Sequence, residues 1–236
     1  MDCRPFFFKK FGLFHHRSTM KIGTDAILLS RWVEVTENDD ILDVGTGCGL
    51  IPLMLAQKGI KHADAVEIDY DSYEEAKQNF SNSAWNSQLF AIHDDIKSYS
   101  LTCEKKYDLI ISNPPFFFGD NVPVKAKKGL ARHTNTLNYN DLISSIKNLL
   151  EVNGRFVLVL PAIESRVFLK EAENQGFYLQ KEMKIVPIEG KEPNRVNMQL
   201  VVNQVNNVES ETFVLRNKDH SFTKEYKDFL KDFYLD

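Results

Sequence analysis

The chain of 236 residues, with 43% hydrophobic and 26% charged side chains, can bury a full core and suits one α/β domain with a small addition, or two very small domains. Three widely spaced cysteines, Cys3, Cys48 and Cys103, offer neither a disulfide framework nor a zinc pattern, and no apolar stretch approaches the ~20 residues of a membrane span, so a reducing cytoplasm is the expected compartment. The net charge of −4 argues mildly against a general nucleic-acid binder.

The N-terminal stretch "MDCRPFFFKKFGLF" carries charges on both sides of a three-residue apolar run, too short for a signal peptide. Residues 1–22 hold Arg4, Lys9, Lys10, Arg17 and Lys21 against Asp2 alone, a basic arm interleaved with Phe6, Phe7, Phe8, Phe11 and Phe14. With 17 phenylalanines in the chain, most of these rings are expected to pack rather than to meet a ligand. "KIGTDAILL" is expected to begin a helix after Thr24 or Asp25 that lids the site described below.

From residue 40 strands and helices alternate. "DILDV" (40–44) is a strand ending in the turn "GTGCG"; "LIPLMLAQKG" (50–59) has helical spacing and stops at Gly59. "ADAVEID" (63–69) reads as a strand, and "DSYEEAKQNFSNS" (71–83) as a helix with Asp71 or Ser72 near its N-cap. "QLFAIHDD" (88–95) and "YDLIIS" (107–112) are strands, and "YNDLISSIKNLLEVNG" (139–154) is an amphipathic helix closed by Gly154. "RFVLVLP" is the next strand and "ESRVFLKEAENQG" the next helix. "FYLQKEMKIVPI" and "RVNMQLVVNQV" are two further strands joined by "EGKEPNR" (189–195), so they run antiparallel to each other. "FTKEYKDFLKDFYL" (222–235) closes the chain as an aromatic helix. Alternation of this kind implies a mainly parallel sheet with right-handed crossovers.

In such a fold, ligands sit beyond the carboxyl ends of the strands. Gly45, Gly47 and Gly49 lie at the first of these ends and let the backbone approach a ligand closely. Their G-x-G-x-G spacing departs from the dinucleotide fingerprint, which seats a pyrophosphate. Asp43 adds a carboxylate able to face an ammonium or amino group. Glu67, 20 residues beyond Gly47, is placed to accept hydrogen bonds from both hydroxyls of a ribose, and Asp95 from an adenine amino group. The set favours a nucleoside without a pyrophosphate. S-adenosylmethionine fits, because its positive charge suits acidic surroundings; a nicotinamide cofactor fits less well. His15, His16, His62, His93, His133 and His220 form no metal-ligand spacing, and no Ser/His/Asp or Cys/His arrangement follows from spacing.

"ILDVGTGCGLIPLMLA", "VEID" and the "NPPF" that follows "YDLIIS" together resemble class I S-adenosylmethionine-dependent methyltransferases acting on an exocyclic or amide nitrogen, over roughly residues 20–205. "MKIGTDAILLSRW" (20–32), "NPPFF" (113–117), "ARH" (131–133) and "YKDFLKDFYL" narrow the resemblance to the bacterial tRNA1(Val) adenine-N6 methyltransferase family, over nearly the whole chain. The resemblance implies a Rossmann-like fold with a mainly parallel seven-stranded sheet, an antiparallel last strand and helices on both faces. It implies one methyltransferase domain over 1–236, with the arm at 1–22 and a C-terminal extension with a terminal helix at 209–236. It further implies a tRNA partner modified at adenosine 37; the lack of an apolar span and of ligand spacing leads to the expectation of no membrane and no metal, and a monomer is expected. Guanine-N2 methylation of ribosomal RNA shares "NPPF", and protein glutamine methylation uses a related Asn-Pro-Pro turn. A binding module that keeps the fold without catalysis is the non-enzymatic alternative.

The chemistry assigns roles to "NPPF". An exocyclic amine is a poor nucleophile because its lone pair is delocalised into the ring. The Asn113 side-chain oxygen and the Pro114 carbonyl are an acceptor pair for its two hydrogens, orienting the nitrogen and stabilising the positive charge that grows on it. Phe116 is placed to stack on the base, worth about 1–3 kcal/mol in single-strand binders. Phe117 and Phe118 read as packing or loop anchors. Lys125, Lys127, Lys128, Arg132 and His133, in a stretch from 121 to 133 without an acid, are expected to meet phosphates, as are Lys9, Lys10, Arg17 and Lys21.

Overall fold

In the computed structural model, which describes residues 4–115 and 138–235, the N-terminal arm folds back as a hairpin of β1 (Phe6–Phe7) and β2 (Gly12–Leu13). Phe8 and Phe11 are buried while Phe6 and Phe7 stay exposed, so packing claims the inner rings and leaves the outer ones on the surface. The Lys9 N–H donates to the Phe233 carbonyl at 2.8 Å and Phe8 stacks on Tyr234, which ties the arm to the other end of the chain. α1 (Thr24–Trp32) follows, with Gly23 as its N-cap.

Next come β3 (Ile41–Val44), α2 (Leu50–Gln57), β4 (Ala63–Glu67), α3 (Tyr70–Ser81), β5 (Leu89–His93), α4 (Ile96–Thr102) and β6 (Tyr107–Ser112). Beyond the undescribed stretch are α5 (Tyr139–Leu149), β7 (Leu150–Pro161), α6 (Ala162–Asn174), β8 (Tyr178–Val186), β9 (Arg195–Val201), β10 (Glu209–Val214) and α7 (Lys224–Leu230). The main sheet has the order β10-β8-β9-β7-β6-β3-β4-β5, and only β9 runs against the rest. Alternate residues of a strand face opposite layers. Leu109 and Ile111 of β6 accordingly join a core shared with α1, α2, the arm and α7, while Ile110 joins one shared with α5 and α6.

Three sequence expectations need correction, and one helix, α4, went unread. The sheet has eight strands rather than seven: the antiparallel strand is β9 as expected, but β10 adds a parallel eighth at the edge beside β8. Its sequence "ESETFV" carries no alternation to betray it, since only Phe213 is buried, packed 4.9 Å from Phe229 after the chain has closed. Gly154 does not stop a helix. α5 ends at Leu149 and Gly154 lies inside β7, where a Cβ would come within 2.9 Å of both the Leu150 side chain and the Tyr107 carbonyl. The N-cap of α3 is Asp69, whose Oδ1 accepts from the Ser72 N–H (2.9 Å) and Oγ (2.8 Å). Asp95 caps the short α4, which has too few turns to show a periodicity.

Candidate active site

The parallel pairing of β3 with β6 ends at Val44↔Ser112, so Gly45 and Asn113 leave neighbouring strands side by side. The Ser112 hydroxyl donates to the Val44 carbonyl (2.8 Å) and pins the two strand ends together. Over this gap the "GTGCG" turn is held from below: the Gly45 and Thr46 N–H groups both donate to the Val66 carbonyl at 2.9 and 3.3 Å. The loop closes onto α3 at Gly49, which has φ +83° and where a Cβ would lie 2.5 Å from the Phe80 ring, so only glycine fits. At Gly45 and Gly47 the opposite holds: a Cβ would meet nothing within 4 Å, which leaves room above the turn.

Glu67, at the end of β4, is buried and joins two loops: its Oε2 accepts from the Gly47 N–H (2.8 Å) and its Oε1 from the Asp69 N–H (2.9 Å). Burial pushes its pKa up, partly offset by those backbone donors. Each oxygen keeps a lone pair for a ligand hydroxyl. Asp43 lies fully buried behind the turn, and burial, partly offset by the nearby Thr46 hydroxyl and reinforced by the Glu67 charge, pushes its pKa up to about 7.

Among the described residues, both Asp43 carboxylate oxygens, Thr46 Oγ1 and Asn113 Oδ1 are buried without a hydrogen-bond partner. Each unsatisfied buried group costs about 1–3 kcal/mol. Other such atoms lie elsewhere, on Gln57, Gln88 and Asn197 among them, but these four stand at one pair of strand ends beside a turn with open space above it. That arrangement suits a polar, positively charged nucleoside, and the expected S-adenosylmethionine fits this donor and acceptor set. Pro114, buried beside Asn113, has a carbonyl and no N–H, and Pro115 is exposed.

At the end of β5, Asp94 Oδ1 accepts from the Asp95 N–H and Asp95 Oδ1 accepts from the Lys97 N–H (2.9 Å). Asp95 therefore has a capping duty in addition to the ligand contact expected of it. Asp25, in the first turn of α1, pairs with Arg195 at 2.9 Å. Arg195 begins the antiparallel β9 opposite Pro161, so the start of α1 sits at the carboxyl end of the sheet, with the turn and Asn113. In the arm, Lys21 Nζ donates to the His15 and His16 carbonyls, and Arg17 donates to the Gln78 side chain. Phe116, Phe117, Phe118, Lys125, Lys127, Lys128, Arg132 and His133 lie outside the described residues.

Sequence reasoning missed Thr46, Asp69 and, above all, Glu75 and Asn79. The last two are buried on α3 along with Ser72, Ala76 and Phe80. The usable signal is spacing: Ser72, Glu75, Ala76, Asn79 and Phe80 follow the i, i+3, i+4, i+7, i+8 rhythm of one helix face, and three of the five are polar. Among the described residues no group of three or more His, Cys, Asp or Glu is placed to hold a metal ion, and no helix is long and apolar enough to cross a membrane.

A parallel sheet with one reversed strand near its edge, and unsatisfied polar atoms gathered where two inner strands part, has the architecture of a class I methyltransferase. The methyltransferase small domain model matches residues 6–172. The chain is 37% identical over 238 residues to the tRNA1(Val) (adenine(37)-N6)-methyltransferase of Trichodesmium erythraeum, covering 100% of this chain and 99% of that one. It is 36% identical over 234 residues to the protein of that name in Parabacteroides distasonis, covering 99% of each. Among solved structures, a predicted O-methyltransferase from Agrobacterium tumefaciens aligns with a TM-score of 0.66 at 16% identity, over 89% of this chain and 96% of that one. The M. jannaschii tRNA m1G37 methyltransferase aligns at 0.55 with 14% identity, over 83% and 54%. These two show a shared fold. The chain belongs to the methyltransferase small domain family and, within it, to the tRNA1(Val) (adenine(37)-N6)-methyltransferases.

Proposed function

We propose that the protein is a methyltransferase that uses S-adenosylmethionine to methylate N6 of adenine in tRNA, at adenosine 37 of tRNA1(Val). The observation that carries the reading is the orphaned Asn113 Oδ1 at the strand end beside the glycine turn. The cofactor supplies an electrophilic methyl group on a sulfonium. Asn113 Oδ1 and the Pro114 carbonyl accept the two amine hydrogens, which turns the nitrogen lone pair toward that methyl. Both acceptors would face the positive charge that grows on the nitrogen as it takes up the methyl group, and the methylated amine would release one proton to solvent. Pro114 holds Asn113 in an extended conformation.

Cofactor binding falls to Asp43, facing the amino-acid ammonium; to Gly45, Gly47 and Gly49, admitting the backbone close to the ligand; to Glu67, on the ribose; to Asp95, on the adenine; and to Asn113, which borders the cofactor as well as the base. Phe116 stacks on a base taken out of the anticodon loop, where extrusion costs less than from a duplex. Lys127, Lys128 and Arg132 meet phosphates. The enzyme works as a monomer without a metal, in the cytoplasm, as one catalytic domain with an arm (1–22) and an extension (209–236) that enters the sheet through β10.

Incubation with methyl-labelled S-adenosylmethionine and unmodified total tRNA, followed by nucleoside analysis, tests this. The label is expected in N6-methyladenosine. Label in N2-methylguanosine or in protein glutamine, or no transfer to any acceptor, overturns it.

A further inference from the structure

Helix α3 grips two separate pieces of the chain. Glu75 is wholly buried and holds the arm by its backbone: Oε1 accepts from the His16 (2.9 Å) and Arg17 (3.0 Å) N–H groups, and Oε2 from the Ser18 N–H (2.8 Å) and hydroxyl. The Thr19 N–H reaches Ser72 Oγ at 3.3 Å. One turn further along, Asn79 pairs with both backbone groups of Phe14: its Oδ1 accepts from the N–H and its Nδ2 donates to the carbonyl, each at 2.8 Å. The second Nδ2 hydrogen goes to the Cys48 carbonyl, also at 2.8 Å, inside the glycine turn. Asn79 is 1% exposed, and every contact it makes here is to backbone.

Only an amide side chain offers one acceptor and two donors at this reach; a carboxylate has no donor and an aliphatic chain has neither. Neighbouring Phe80 packs against Gly49 of the same turn, so α3 shapes the turn from one side while it holds the arm on another.

We propose that Asn79 is a positioning residue that couples docking of arm residues 14–18 to the shape of the cofactor turn, so that cofactor binding and arm docking strengthen each other. The inference rests on the cofactor reading above. Coupling between two binding events is reciprocal: an arm that improves cofactor affinity is itself held more firmly once cofactor is bound. The arm carries exposed Arg17 and Lys21, so a cofactor-loaded enzyme presents an ordered basic strap to RNA, and an empty one presents a looser strap.

The test uses S-adenosylhomocysteine as probe, with calorimetric affinity and the rate of tryptic cleavage after Arg17 and Lys21 as two readouts. In the wild type, the probe is expected to slow cleavage. Asn79→Asp keeps the acceptor for Phe14 but loses both donors; it is expected to weaken probe binding roughly tenfold and to abolish the probe's effect on cleavage. It should raise KM for the cofactor with kcat little changed. Asn79→Gln, which restores an amide, should recover part of the affinity. Should Asn79→Asp fail to fold, Glu75→Gln loosens the arm without touching the Cys48 bond and is expected to weaken probe binding as well. Cleavage that ignores the probe in the wild type, or unchanged probe affinity in Asn79→Asp or Glu75→Gln, overturns the coupling alone. Wild-type protein that binds no probe overturns the cofactor reading together with it.

Discussion

Gly47 and Glu67 stand 20 residues apart in the chain and meet at 2.8 Å, the glycine N–H donating to the buried Glu67 carboxylate. Through this bond and its second one to the Asp69 N–H, Glu67 fixes the spacing between the turn after β3 and the turn after β4. Glu67→Gln puts an amide NH2 opposite one of two backbone donors, so one bond is lost in the free protein and one ribose acceptor is lost in the complex. Hydrogen bonds to charged groups are worth about 1.5–3 kcal/mol. S-adenosylhomocysteine affinity is therefore expected to fall roughly ten- to hundredfold by calorimetry, and affinity within twofold of wild type would remove Glu67 from the site.

Asn113→Ala deletes the side-chain acceptor but leaves the turn, Asp43 and Glu67 in place. Turnover on tRNA should drop by roughly two to three orders of magnitude, the loss typical of one preorganised transition-state partner. S-adenosylhomocysteine affinity should change far less. Wild-type turnover in this variant would refute the amine clamp.

Asp43 makes two pH-dependent predictions. Its folded pKa, about 7, exceeds the ordinary carboxylate value because burial penalises the charge, so its contribution to stability is fully present below pH ~4 and is lost as the pH rises through ~7. The ligand-free protein should accordingly lose stability between these limits by on the order of a few kcal/mol, and Asp43→Asn should flatten that slope in chemical denaturation at fixed pH values. Binding runs the other way. The ligand's amino-acid ammonium prefers ionised Asp43, so S-adenosylhomocysteine affinity should fall by up to about tenfold per pH unit below ~7, and Asp43→Asn should bind weakly with no such dependence. Equal slopes in wild type and variant would show that another group titrates.

Lys127 and Lys128 carry the prediction about RNA. Changing both to Ala should weaken tRNA binding and reduce the slope of log affinity against log salt by about one to two, because each phosphate contact releases counterions on binding. Cofactor affinity should not move. An unchanged salt slope would take this stretch out of the interface.

Much of the architecture was legible in the residues because it is written at short range. The runs in "DILDV", "ADAVE" and "YDLIIS" are apolar enough to be inner strands of a parallel sheet, and the glycines, Glu67 and Asn113 fall at their carboxyl ends, where such folds place ligands. Gly154 shows the limit of local reading: a glycine after an amphipathic stretch looks like a helix stop, yet its cause is the Tyr107 carbonyl on the next strand, 47 residues away.

By itself, then, the sequence determined the strand-helix alternation, the glycine turn and the identity of the residues at three strand ends, since hydrophobic periodicity and backbone freedom act within a few residues. Only the tertiary structure decided that "ESETFV" would be an eighth strand, that Asp43 would be buried with its charge unpaired, and that Glu75 and Asn79 would face inward. A polar residue on a helix reads as solvent-facing until something covers it. Here the cover is the arm, whose Phe14 lies 65 residues from Asn79 and whose backbone N–H and C=O groups make the buried amide stable.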